Sequence, residues 1–108
     1  MKTFETHNDI AINSSGTCLQ GYINTHYYDL IETFGEPTES DGYKVDAEWI
    51  IEFEDGTVGT VYNWKNGLNY CGVDGTPVEY ITEWHVGGKH GTGVVTKVRT
   101  VLEKEDME

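Results

Sequence analysis

The chain has 108 residues, of which 19 are acidic and seven basic, for a formal net charge of −12. That length is one domain with room for a single core. That charge excludes the ordinary binder of duplex DNA or RNA, which needs lysine and arginine to displace counterions, and it excludes attraction to an anionic membrane surface. The two cysteines, Cys18 and Cys71, are too few for a disulfide scaffold and are expected as reduced thiols of a soluble cytoplasmic protein. The opening "MKTFETHNDI" is polar, so no signal peptide is expected. No apolar run approaches the ~20 residues that span a bilayer. Aromatic residues make up 12% of the chain and sit in patterned segments, which a disordered acidic chain would lack.

Residues 1–23 read as short, irregular strands, "TFETH", "DIAI" and "TCLQGYI", with turn chemistry at "NSSG". In "NTHYYDLIETFGEP", Tyr27, Leu30, Ile31 and Phe34 share one helical face. Asn24 or Thr25 is the expected N-cap, Gly35 the left-handed C-terminal residue, and Pro37 the block to continuation. A loop, "TESDGY", follows. In "KVDAEWIIEFED", Val45, Ala47, Trp49, Ile51 and Phe53 alternate with polar residues, Ile50 excepted, the pattern of a half-buried strand. Asp55-Gly56 signals a hairpin, and "TVGTVYNW" returns. Gly59 is expected to let a large ring, Trp49 or Trp64, lie across the backbone. "KNGLNYCGVDGTP" reads as a loop with room for a small hairpin, and "VEYITEWHV" as a further strand. Val94, Val95, Val98, Val101 and Leu102 then mark an amphipathic helix.

The order of elements gives an α+β domain spanning residues 1–108. Its antiparallel sheet has about four to six strands, and two helices, about 25–34 and 92–104, pack on one face. Residues 103–108 are expected to be a frayed acidic tail.

Two candidate sites stand out. The first is a carboxylate row, Asp46, Glu48, Glu52 and Glu54, on one face of the 45–53 strand. Same-face residues on a strand lie ~6.7 Å apart, about two base-pair rises of a duplex. Such a row can imitate a nucleic-acid backbone and occupy a basic cleft on another protein. Glu36, Glu39 and Asp41 would extend it, and the bland alternative is a solvated face kept soluble by charge. The second is "WHVGGKHGTGVV". A glycine-rich link opening into a helix offers backbone N–H groups to an anion. Trp84, His85, Gly87, Gly88, Lys89 and Thr92, with Tyr70 from the preceding loop, would then hold a nucleotide or cyclic nucleotide. The spacing matches neither GxxxxGK[ST] nor GxGxxG, so the plainer alternative is a tight turn with Thr92 capping the helix. Of the aromatics near that loop, Tyr62, Trp64, Tyr80 and Trp84 are expected in the core or at an interface between subunits of a homo-oligomer, with Tyr70 exposed.

Catalysis has no constellation behind it. The four histidines, His7, His26, His85 and His90, show no HExxH spacing, and no cysteine pair joins them for zinc. No nucleophile, base and orienting group assemble. The chain is therefore read as a non-enzymatic binding protein without metal or cofactor.

The stretches "CLQGYINTHYYDLIETFGEP", "DGYKVDAEWIIEF" followed by "DGTVGTVYNWK", and "EYITEWHVGGK" resemble small proteins encoded by tailed bacteriophages, over roughly residues 17 to 89. The group brings no activity with it, so no functional residue carries over. What the resemblance implies is a setting: the cytoplasm of an infected bacterium, and a protein that inhibits a host defence by covering a host protein or sequestering a signalling nucleotide. A structural or virion-assembly role is the other possibility such a setting brings.

Overall fold

The computed structural model describes residues 3–38 and 45–107. Its centre is one antiparallel sheet of five strands in the order β1-β3-β4-β5-β2, formed by β1 (Phe4–Thr6), β2 (Cys18–Asn24), β3 (Glu48–Phe53), β4 (Val58–Tyr62) and β5 (Glu83–Gly88). Helices α1 (Tyr27–Phe34) and α3 (Val94–Met107) lie against one face, giving the expected α+β architecture. A single turn of helix, α2 (Leu68–Cys71), sits in the link between β4 and β5.

Periodicity explains which face is buried. Along β3 burial alternates, with Trp49, Ile51 and Phe53 inside. Their cross-strand partners share that side: Val61 opposite Trp49, Gly59 opposite Ile51, and Phe4 opposite Phe53. Trp84, Val86 and Ile23 continue it across β5 and β2. Tyr27 of α1 packs its ring 5.9 Å from Trp49, and Phe34 meets Phe4 edge-on at 5.3 Å. Val94, Val98, Val101 and Leu102 are the buried stripe of α3. The sequence "TVGTVY" reads as a strand although Gly59 weakens it, because the glycine is where α3 comes close. A Cβ there would overlap Val94, and at Gly88 it would lie 2.6 Å from Val94 Cγ1. Gly59 and Gly88 are cross-strand neighbours, and Gly21 on β2 faces Val95 in the same way, at 3.0 Å. The three form a floor without side chains under the first turn of α3. The expected ring over Gly59 is therefore replaced by a valine of the helix.

Local chemistry corrects several boundaries. His26, not Asn24 or Thr25, is the N-cap of α1, and its side chain makes no cap hydrogen bond. Thr25 is held elsewhere: its N–H donates to Thr82 O at 2.8 Å and its carbonyl accepts from Trp84 Nε1 at 3.1 Å. Gly35 closes α1, with its N–H on Ile31 O at 2.8 Å, but its φ of 85° and ψ of −162° are an extended glycine conformation and not the expected αL one. Asn8 Nδ2 reaches over from a turn to donate to Phe34 O and Glu36 O, capping the end of α1, and "DIAI" after it is not a strand. The 65–77 link holds α2 and a following 3₁₀ turn in place of a small hairpin. Helix α3 continues through Met107, over most of the tail expected to fray. Glu39, Asp41 and most of the "TESDGY" loop lie outside the described residues. Among the described residues no helix is long and apolar enough to cross a membrane.

Candidate functional site

Among the described residues no helix packs on the second face of the sheet, and the register defines it rung by rung. One rung runs Glu5, Glu52, Val58 across β1, β3 and β4. The next runs Ile50, Thr60, Gly87, Leu19. The third runs Glu48, Tyr62, His85, Tyr22 across β3, β4, β5 and β2, and Glu83 pairs with Asn24 beyond it. The face is thus divided. Carboxylates occupy the β1–β3 side except at Ile50, which separates Glu48 from Glu52, and rings with smaller neutral groups occupy the β4–β5–β2 side.

The expected carboxylate row is split by this geometry. Glu48 and Glu52 stand on the open face, both half-buried at the strand surface. Glu54 is exposed just past the end of β3, where its N–H donates to Thr3 O at 2.9 Å. Asp46 precedes the strand and its carboxylate turns to the 63–67 segment. It accepts from Asn63 Nδ2 at 3.0 Å and crowds the backbone of Gly67. Asn63 is fully buried and is the anchor of this corner: its Oδ1 accepts from the backbone N–H groups of Asp46 and Ala47 at 2.7 and 3.1 Å, and its Nδ2 also donates to Asn66 Oδ1. Asp46 therefore belongs to a structural clamp. Its place in the row is taken by Glu5, which the sequence reading did not single out. Glu5 stands directly across from Glu52, and like charges in that position repel.

The second candidate site does not gather. Trp84 is fully buried against Trp49 and its indole N–H is on Thr25 O, so it has no face for a base. His85 lies on the opposite side of β5. Gly87 and Gly88 are ladder residues, paired with Leu19 and Thr60 and with Cys18 and Gly59 respectively, so their backbone groups belong to the sheet. The chain turns only after them, with Gly91 and Gly93 at φ of 80° and 68°. Thr92 Oγ1 donates to Lys89 O at 2.7 Å and closes that turn. Lys89 and Thr92 border a cleft that also contains the Asp55 carboxylate, which is ion-paired with Lys97 at 2.8 Å. Tyr70 is on α2, in the link that leaves β4 at the other end of the sheet, with its ring 5.5 Å from Lys65 Nζ.

His85 instead belongs to an aromatic row. Its ring lies 4.9 Å from that of Tyr22, edge-on, and 5.4 Å from that of Tyr62, and Trp64 extends the row at 6.2 Å from Tyr62. Tyr22 is 50% exposed and Trp64 40%. Burial lowers the His85 pKa from its ordinary value, with the Glu83 charge opposing. Burial and then the Glu48 charge raise that of the Tyr62 phenol. Both rings are therefore neutral near pH 7. The row was visible in part: Tyr22, Tyr62 and His85 each alternate with core residues, Ile23, Val61 and Trp84. Only the register could put the three on one rung.

Among the described residues no three His, Cys, Asp or Glu side chains are grouped to hold a metal ion. Compared with family models, curated proteins and solved structures, the chain matches none of them.

Proposed function

We propose that this protein acts by stoichiometric binding, without catalysis, and that the acidic side of its open sheet face engages a basic surface on another protein. One observation carries the reading: Glu5 and Glu52 oppose each other, with Glu48 on the same face, where neutral residues would favour folding. A cationic partner relieves that repulsion. The resemblance to phage proteins supplies the setting, in which the partner is a host defence protein and binding inhibits it. The homo-oligomer expected from the aromatics is compatible with this only if it forms away from the open face, for example along the free edge of β2.

The test is capture from bacterial lysate with tagged wild-type protein and the Glu5→Gln/Glu48→Gln/Glu52→Gln variant, followed by association kinetics with the captured protein. Removing charge at such a surface slows association and flattens its dependence on salt. An unchanged association rate and salt slope in the triple variant would remove this face from the mechanism.

A further inference from the structure

The two edge strands of the sheet, β1 and β2, are built differently. β1 is three residues long with Glu5 exposed on it, two features that keep an edge from pairing with another chain. β2 is seven residues long, and residues 10–28 around it hold no Asp, Glu, Lys or Arg in a chain that is 24% charged. A bulge between Leu19 and Gly21 protects the first half of β2, where the Gln20 amide also donates to Cys18 O and Gly88 O. The second half is regular. Thr25 N–H donates to Thr82 O in line with the β2–β5 register, and antiparallel partners alternate between bonded and non-bonded pairs. The backbone of Ile23 therefore bonds to Trp84, and the backbone groups of Tyr22 and Asn24 point out of the sheet. Helix α3 packs beside this half of the edge. Arg99, Leu102 and Glu103 line a cleft with Tyr22, Asn24 and Thr25, so that the 99–103 segment lies next to Ile23. Arg99 and Glu103 are exposed, and among the described residues neither makes an ion pair within the chain.

We infer that the protein forms a two-fold dimer through β2. The strand adds antiparallel to its copy, with Tyr22 paired to Asn24 of the second copy and Ile23 to its own equivalent, and the two sheets become one. Two-fold symmetry about Ile23 lays the two α3 helices antiparallel to each other and sets Arg99 of each against Glu103 of the other. The contact is self-complementary in charge and in hydrogen bonding, as an isologous interface must be. It also accommodates a net charge of −12 on each copy. β3 of one copy lies seven strand spacings from β3 of the other, about 34 Å, well beyond the Debye length of about 8 Å at physiological salt. Pairing through β1 would instead bring the two Glu5 side chains together. The dimer stands apart from the acidic-face reading and leaves both acidic faces open on the same side.

The test is sedimentation velocity of the full-length protein over a wide range of concentration, with amide hydrogen exchange measured at both ends of the range. The wild type is expected to dimerise, with the Tyr22 and Asn24 amides protected only when it is concentrated. Asn24→Pro removes an N–H that points away from β5, a position where an edge strand tolerates proline. That variant should be monomeric, with the urea midpoint of the dilute wild type. Arg99→Glu should weaken the dimer about tenfold or more. Arg99→Glu/Glu103→Arg exchanges the two charges and should restore it, whether or not the proline variant folds. Glu5→Gln/Glu48→Gln/Glu52→Gln should remain a dimer even where it loses a captured partner. The β2 interface would be overturned by a wild type that stays monomeric, by a dimer that survives in folded Asn24→Pro, or by exchange at Tyr22 and Asn24 that ignores concentration. A charge exchange that restores nothing would overturn it too, and dissociation of the carboxylate variant would do so by moving the contact to the acidic face.

Discussion

Replacing Gly88 by alanine tests the glycine floor most directly. Its backbone lies outside the left-handed region, so alanine is free of torsional strain there, and only the neighbour matters. The new Cβ would sit 2.6 Å from Val94 Cγ1 and 3.2 Å from Val94 Cβ, in the first turn of α3. Overpacking of that kind costs about 1–3 kcal/mol, offset by about 0.5–1 kcal/mol because alanine restricts the unfolded chain. A net loss of about 1–2 kcal/mol is expected. Val94→Ala alone removes two buried methyl groups and should lose about 2–3 kcal/mol in transfer and cavity terms. In Gly88→Ala/Val94→Ala the added methyl enters the space the valine leaves. The double variant should then be no less stable than Val94→Ala, a favourable coupling of about 1–2 kcal/mol. Urea unfolding followed by far-ultraviolet circular dichroism and tryptophan fluorescence measures all four corners of the cycle. Losses that add to within about 0.5 kcal/mol would show that the glycines do not make room for Val94.

Asn63→Ala should cost about 3 kcal/mol, because two backbone N–H groups lose their shared acceptor inside the protein; a loss below about 1 kcal/mol in the same urea assay would mean that water replaces the amide. Glu52→Gln should raise stability by about 0.2–1 kcal/mol at low salt by ending the repulsion with Glu5, and the gain should shrink as salt is added; a destabilised variant would contradict the repulsion. His85 gives a pH dependence of definite sign. Its folded pKa is lowered from 6.5, so the unfolded chain takes up the proton first on acidification. The contribution is whole above 6.5 and declines as pH falls from there through the lower folded value. The stability difference between wild type and His85→Gln should therefore move against the wild type between about pH 7.5 and about pH 5.5, and a difference independent of pH would refute it.

Legibility of the sequence followed the range of the interactions involved. The strand at Glu48–Phe53 and the helix faces of α1 and α3 were readable because alternation and helical spacing are local records of which side is buried. "WHVGGK" was misleading for a physical reason. Glycine pairs are a usual signal for a turn, and here they continue a strand: Gly88 leaves room for Val94 of α3, and Gly87 for the Thr60 hydroxyl on the other face. Nothing within six residues of Gly88 records that Gly59 lies beside it or that Val94 crosses both. Asp46 failed in the same way. Its alternation with Val45 and Ala47 aims it outward, but an asparagine seventeen positions along the chain draws the carboxylate in. The α1 N-cap differed because Thr25, a good capping residue, is tied to β5 by its own backbone.

The two faces of the sheet obey different rules. On the helix side the residues are mutually dependent: Trp49, Trp84, Val94 and their neighbours are buried together, and among the described residues no buried side-chain polar atom lacks a partner. On the open side stability would be better served by almost any change that separates Glu5 from Glu52 or withdraws the Tyr22 ring from water. Consecutive residues alternate between the two regimes, Ile51 inward and Glu52 outward, Trp84 inward and His85 outward. A substitution on the open side should therefore leave the core packing largely untouched, so binding and folding can be perturbed separately in this protein. That separation is what makes the carboxylate column testable as a binding surface: a variant at Glu52 that loses a partner while keeping its urea midpoint has lost recognition and not structure.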